Sequence, residues 1–291
     1  MSAGTLFVAE SRGRKVRNAL ATAFMVLSFL VMLVPLVLIV GYVVQRGAGV
    51  ISWSFLTDDL PIIDRLPGGG IGPAIVGTLI IVGAATAMAV PLGLLGGIYL
   101  NEYGGKRRTA SVVRFLADVM TGVPSVVMGL FIFTIWTLRY QYSAFGGALA
   151  LACLMLPIII RTSEEVLRLV SHDQREASYA LGGRKATTIR RVVLPAAAPG
   201  ILSGALLAIA RAAGETAPLL FTILYVTKTN TSLLHGPNVA LPLLIFKNAQ
   251  SPFTAAADRA WGAALTLIVI VFVFTLLARI VAAGFDRRRR A

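Results

Sequence analysis

Arg211 and Glu215 stand four residues apart inside a stretch, residues 199–225, that is otherwise apolar and long enough to cross a bilayer. At that depth a charge costs at least about 2.5–3.5 kcal/mol on insertion scales, so each must have a partner. One chemistry is a mutual ion pair, since residues four apart share a helix face, although Arg before Glu is the weaker order against the helix dipole. The other is recognition of an oxyanion. A guanidinium grips a tetrahedral oxyanion through two parallel hydrogen bonds, which a lysine ammonium does not reproduce. A carboxylate belongs beside an anion only if the substrate brings a proton for it to accept. Thr216, Thr121, Ser125 and Ser203 would add neutral donors where they face the same cavity. From residue types alone both chemistries stand.

The remaining reactive side chains suggest no further centre. Cys153 is the single cysteine, so no internal disulfide can form, and its apolar neighbours make it core filler. His172 and His235 have no partner at metal-ligand spacing, so no metal site is expected. No G-x-x-x-x-G-K-[ST] loop occurs, and Gly182-Gly183-Arg184-Lys185 is not one, so this chain is not expected to hydrolyse ATP or to act as an enzyme.

The second candidate is a polar, basic loop, residues 161–195, set between apolar stretches. Ser171 with Gln174 reads as a capping box opening a short helix that should stop at Leu181, because Gly182 and Gly183 suit a left-handed cap. A second short helix, residues 184–193, should end before Pro195. Helices in bundles are usually joined by about 2–8 residues, so a loop this long is a compact knob with a purpose of its own. It would either dock a soluble partner or lie on lipid headgroups through Arg184, Lys185, Arg190 and Arg191.

The elements that must position these groups are membrane helices. Of 291 residues 57% are hydrophobic and only 14% charged, well below the roughly one quarter usual in soluble domains. The net charge of +14 sits at the ends of apolar runs and not on one polar domain, so membrane surface is the expected partner and nucleic acid is not. Apolar spans are predicted over residues 19–44, 71–100, 115–138, 144–160, 199–225 and 260–284. Pro35 and Pro91 should kink the first two, and Gly93 with Gly97 offers a small-residue face for close helix contact. Gly122, Val123 and Pro124 should open the third span, either as a packing kink or to line a translocation path. The run Gly68-Gly69-Gly70 frees the backbone ahead of Pro73. Apolar pieces such as residues 239–246 are too short to cross.

Putting the amino terminus, residues 101–114, residues 161–195 and the carboxyl terminus on one side gives nineteen Lys and Arg there against six on the other. The basic side should face the cytoplasm. The expected organisation is a basic cytoplasmic tail, 1–18, a six-helix permease domain, 19–284, and a second basic tail, 285–291.

Glu176, Ala177 and Ser178, then Gly182, then Val192, Leu194 and Pro195 resemble at the right spacing the EAA loop of ABC importer permeases, with Ser178 in place of an alanine and Val192 in place of isoleucine. The phrases Ala210 to Leu219, Gly122 to Ser125 ahead of Gly129-Leu130-Phe131, and Gly69 to Leu79 are similar to segments of the phosphate-specific permeases in that family. An importer of this kind pairs two related permeases that share many of these motifs. The shortness of this chain and its Glu215-Thr216-Ala217-Pro218-Leu219 phrase match one of the two, the other being the alternative, as is a permease for sulfate or molybdate. The resemblance implies an all-α type I importer permease fold in the bacterial inner membrane. It also implies a second homologous permease alongside, two ATPase subunits that carry ATP and Mg below, and an extracytoplasmic phosphate-binding protein above. It places Glu176, Ala177, Ser178, Gly182, Leu194 and Pro195 at the ATPase contact. Hydrogen phosphate would satisfy the demand for a protonated substrate at Glu215, and sulfate near neutral pH would not. A channel or secondary transporter is the reading from another class, but it has no use for a docking knob; a signalling role could be added to transport.

Overall fold

The computed structural model describes residues 12–105 and 107–290, and for residues 277, 278 and 281–290 the backbone course alone. Residues 1–11 of the expected basic tail, Lys106, the side chains of the terminal arginines and Ala291 lie outside the described residues.

Five helices are long and apolar enough to cross a membrane. They are α1 (Arg12–Gly47), α3 (Gly72–Ile98, prolonged by a wide turn, Tyr99–Gly104), α7 (Ala144–Arg168), α10 (Leu194–Ala213) and α13 (Thr254–Arg290). A sixth candidate span is in two pieces. Helix α4 (Arg108–Gly122) and helix α5 (Ser125–Ile132), the latter prolonged through a wide turn, Phe133–Thr137, and α6 (Leu138–Tyr140), meet at a 106° bend. The short pieces are α2 (Trp53–Thr57), α8 (His172–Ala180), α9 (Lys185–Thr188), α11 (Ala217–Thr222) and α12 (Leu241–Ala249). Among the described residues there is no strand.

The centre of the molecule is the crossing of α3 and α7, made close by small residues. A Cβ at Gly93 would lie 2.6 Å from Ile159 Cγ2, and one at Gly97 would lie 2.5 Å from Ser163 Cβ, so the predicted glycine face is the contact face. Around it Ile81, Ala85, Ala89, Leu151, Met155 and Ile159 form the largest buried cluster, joined from α10 by Ala208 and Ala212. Helix α1 touches this body through its last turns, where Tyr42 stacks edge-on against Trp261 at 5.1 Å and Gly47 lies under the Trp261 carbonyl. Pro35 and Pro91 both lie inside continuous helices.

At the end away from residues 161–195, hereafter the far end, α2, α12 and the connections beside them bury Phe55, Leu60, Ile71, Val239, Leu241 and Leu244 together. The glycine run does what its freedom allows: Gly68 and Gly69 take φ of 86° and 75°, and Gly70 has no room for a Cβ beside the Asp58 backbone. The apolar piece 239–246 contributes to α12, which packs and does not cross.

Three boundaries differ from those expected. Helix α7 runs on to Arg168, so the loop is shorter than 161–195 by two turns of helix. The chain from Lys185 stays helical through Pro195, because after the wide turn Ile189–Val193 the proline falls in the first turn of α10, where it is tolerated. The span predicted over 199–225 breaks after Ala213: Gly214 favours helix ends, and Pro218 restarts a new helix from its first turn.

Candidate functional site

The knob carries its recognised residues on two faces. Helix α8 starts at His172, but the Ser171 side chain makes no capping bond, so the predicted capping box does not form; Ser171 and Gln174 both lie exposed. At the other end the prediction holds. Leu181 closes the helix by bonding back to Ala177 O at 3.2 Å, Gly182 takes φ of 79°, and Gly183 N–H reaches Ser178 O at 2.9 Å. Glu176, Ala177 and Gly182 are exposed, and a Cβ at Gly182 would meet nothing within 4 Å. Glu176 is bonded only along its own helix, to His172 Nδ1 at 2.9 Å. Ser178 instead turns inward and shares a hydrogen bond of 2.8 Å with buried Thr188, tying α8 to α9. Leu194 packs with Leu167, Val170 and Val193, while Pro195 is exposed. Leu169, ahead of α8, and Leu181, at its end, are 84% and 89% exposed. Of the four basic residues that could hold the knob on lipid, Lys185 is turned into the protein, over the Tyr103 ring and onto the Glu102 carbonyl.

A group of charges behind the knob was not singled out from sequence. Glu164 is 1% exposed and stands at the meeting of three guanidiniums: Arg114 Nε at 2.6 Å, Arg161 Nη1 at 3.2 Å and Arg168 Nη2 at 3.3 Å. Arg161 also donates through Nε to Asp118 Oδ1 at 2.8 Å. Arg175 of α8 pairs with Glu102 Oε1 at 3.0 Å. Spacing held a hint, because Arg161, Glu164 and Arg168 recur on one helical face, as do Arg114 and Asp118. Their partners lie across the fold.

Arg211 and Glu215 come near each other without sharing a helix. Arg211 lies in the last turn of α10 and Glu215 beyond its end, with Nε and Oε1 3.6 Å apart, longer than a hydrogen bond. The argument from charge order within one helix therefore lapses: a cation in the last turn sits where the helix dipole favours it. The Arg211 side chain is 68% exposed and that of Glu215 20%, at a recess floored by Leu154, Met155 and Ile158 of α7. Two helix breaks are also brought together here. A Cβ at Gly129 would lie 2.6 Å from Pro218 Cα, which packs the second turn of α5 against the first turn of α11, and Gly146 faces Trp136, in the wide turn that prolongs α5, and Thr222 at the end of α11. Half-buried Ser125 and Thr216 thus head two half-helices that run side by side. Thr121 lies before the bend and bonds to Asp118 O at 2.7 Å, and Ser203 bonds to Pro199 O at 2.8 Å, so both hydroxyl protons are held by their own helices.

Three kinds of comparison bear on this arrangement. The chain is 46% identical over 281 residues to phosphate transport system permease protein PstA 1 of Mycobacterium tuberculosis, spanning 95% of this chain and 91% of that one. It is 41% identical over 269 residues to PstA of Yersinia pestis, spanning 92% and 90%. Among solved structures, the inward facing MetNI methionine ABC transporter superposes with a TM-score of 0.63 at 15% identity, over 74% of this chain and 95% of that chain, a likeness of fold alone. The family described as the binding-protein-dependent transport system inner membrane component matches residues 89–291, which hold the knob, the bent span and both helix breaks. With that match and those identities, the chain belongs to the family of binding-protein-dependent transport system inner membrane components.

Proposed function

We propose that this chain is the transmembrane permease subunit of an ATP-driven importer of inorganic phosphate and forms half of its translocation path. The observation that carries this reading is the identity of 46% with a phosphate permease across nearly the whole of both chains. Helix α8 and the turn that ends it support it, since exposed Glu176, Ala177 and Gly182 offer a surface for a soluble partner. That partner is a pair of ATPase subunits, which hold the ATP and Mg. This chain is not an enzyme. A second, homologous permease completes the path, and an extracytoplasmic phosphate-binding protein delivers the substrate. The chain lies in the bacterial inner membrane as a permease domain, 19–284, between tails 1–18 and 285–291, with both tails and residues 161–195 cytoplasmic, as the excess of nineteen basic residues over six favours.

In this reading Arg211 clamps the anion and Glu215 accepts the proton of hydrogen phosphate. Thr216 and Ser125, at the heads of α11 and α5, border the path where irregular backbone is tolerated because it lines a cavity. Thr121 borders it just before the bend. The test is uptake by liposomes holding the four kinds of subunit. Labelled phosphate should enter only with ATP inside, and excess sulfate should not compete. Equal competition by sulfate or molybdate would reassign the substrate, and entry without the ATPase would make the chain a channel or secondary carrier. Exposed Thr187, replaced by cysteine, should react with an impermeant label from the inside only; reaction from outside overturns the orientation.

A further inference from the structure

The docking helix and the bent span are joined by a chain of inward-facing charges. Arg175 precedes Glu176 on α8 but points the other way: its side chain is 14% exposed, and it donates to Leu167 O at 2.9 Å and to Val170 O at the end of α7. Its third bond, to Glu102 Oε1 at 3.0 Å, reaches the turn Tyr99–Gly104 that closes α3, where Glu102 is 7% exposed. In the same turn Leu100 O accepts from Arg114 Nη2 at 2.9 Å. Arg114 belongs to α4 and passes through Glu164 to Arg161, and Arg161 returns to α4 at Asp118, one turn before the helix stops at Gly122. Val123 (φ −70°, ψ 126°) and Pro124 (φ −59°, ψ 137°) then form a two-residue extended joint before α5.

We propose that Arg175 and Glu102 are positioning residues for energy coupling: they make α8, the 99–104 turn, the loop end of α7 and α4 move as one body, so that displacement of α8 swings α4 about the joint at residues 123–124. This rests on the reading of α8 as the ATPase docking site. Two physical points favour motion over simple adhesion. A buried ion pair is roughly break-even against apolar packing of the same shape, so these charges are a poor choice if holding the elements together were their only task. And α4 meets α5 at a 106° bend with no helical hydrogen bonds carried across it, so it can turn while α5 stays seated on α11.

The test uses the whole complex in liposomes and reads three quantities: ATPase retained by the purified complex, ATP hydrolysed, and phosphate imported per ATP. Glu102→Gln leaves the two carbonyl bonds of Arg175 intact and so keeps α8 seated. Both Glu102→Gln and Arg175→Met should retain the ATPase and hydrolyse ATP near the native rate, yet import about tenfold less phosphate per ATP, within the usual range of coupling between sites. The double variant should be no worse than either single, because the two act as one unit. Native phosphate per ATP in Glu102→Gln overturns the proposal. So does a loss of hydrolysis in step with transport, which would make Arg175 a shaper of the docking surface alone, and so do additive losses. Should Arg175→Met fail to accumulate, Glu102→Gln with Arg175→Lys decides on the same three readings. If the native chain itself retains no ATPase, it is the docking reading that fails, and that outcome is distinct from all of these.

Discussion

At the far end Gly77 lies so close under residue 239 that a Cβ would stand 1.9 Å from the Val239 carbonyl oxygen, whereas at the loop end α8 is attached through one long side chain, Arg175, which reaches two carbonyls of the α7 end and the tip of Glu102. The charges follow the same division. Arg259, 3% exposed, donates to three backbone carbonyls, those of Asp64, Leu66 and Gly68, and so fixes the course of a connection. Glu164 and Glu102 each receive one guanidinium from another helix, that of Arg114 and that of Arg175, at the tips of long side chains. Backbone contacts through glycine fix the surface on which two elements meet, while bonds through long side chains tie elements together without fixing that surface. The far end is thus built as a fixed cap, and the loop end as a set of side-chain links.

The largest effect should come from spoiling the cap. Gly77→Val forces a branched side chain into a carbonyl, an overpacking that costs about 3 kcal/mol or more with no flexible neighbour to yield. Membrane abundance, measured by immunoblot against the native chain, should fall several-fold, and the same substitution at exposed Gly83 of the same helix, where a Cβ meets nothing within 4 Å, should leave abundance far closer to native. Equal abundance of the two variants would break the comparison.

A smaller change in stability but a complete loss of function is expected at the knob. Gly182→Leu puts a side chain at φ of 79°, a local cost of about 1–2 kcal/mol, and meets nothing within 4 Å, so the chain should insert and accumulate. ATP-driven uptake should be abolished, because the new side chain stands where the ATPase would lie. Normal uptake would remove Gly182 from the docking face. Cross-linking from Ala177 to the ATPase, absent in an assembled complex, would point the knob toward lipid instead.

What the sequence made legible is mostly local. Gly182 announced its left-handed turn because only residues without a Cβ enter that region freely, and Gly93 with Gly97 announced a close crossing because a repeat of four lies on one helix face. The opening at Gly122 to Pro124 was readable from a missing amide hydrogen, though not its 106° angle, which depends on what α4 packs against. The Glu164 group stayed hidden because Arg114 and Glu164 are fifty positions apart, and no pattern within either helix names the other. Ser171 misled for the opposite reason: the spacing to Gln174 was right and Ser171 does stand at the start of α8, but its side chain makes no cap bond. Pro195 misled because the chain ahead of it takes a wide turn, Ile189–Val193, after which the proline falls in the first turn of α10, where it is tolerated.

Arg211 and Glu215 are charges of a third sort, neither fixed on backbone nor closely joined. A pair 3.6 Å apart with one member 68% exposed is worth at most about 1 kcal/mol, so substitution there should leave abundance at the native level. Function should respond in two separable ways if the pair meets substrate. Arg211→Lys keeps the charge but loses the planar fork, and phosphate uptake should fall sharply. Glu215→Gln keeps the size but converts a pure acceptor into a group with two donors; sulfate, which has no proton to offer, should then compete with phosphate where it did not before. That shift in competition is the smallest of the effects and the most specific. Exchanging the two, as Arg211→Glu with Glu215→Arg, separates recognition from structure. It restores any mutual attraction, but it moves the carboxylate into the last turn of α10 and the guanidinium past the helix end, away from where each faces the recess. A substrate site should lose uptake in the exchanged chain at native abundance. Full uptake there would leave Arg211 and Glu215 as one more link of the kind that holds the loop end.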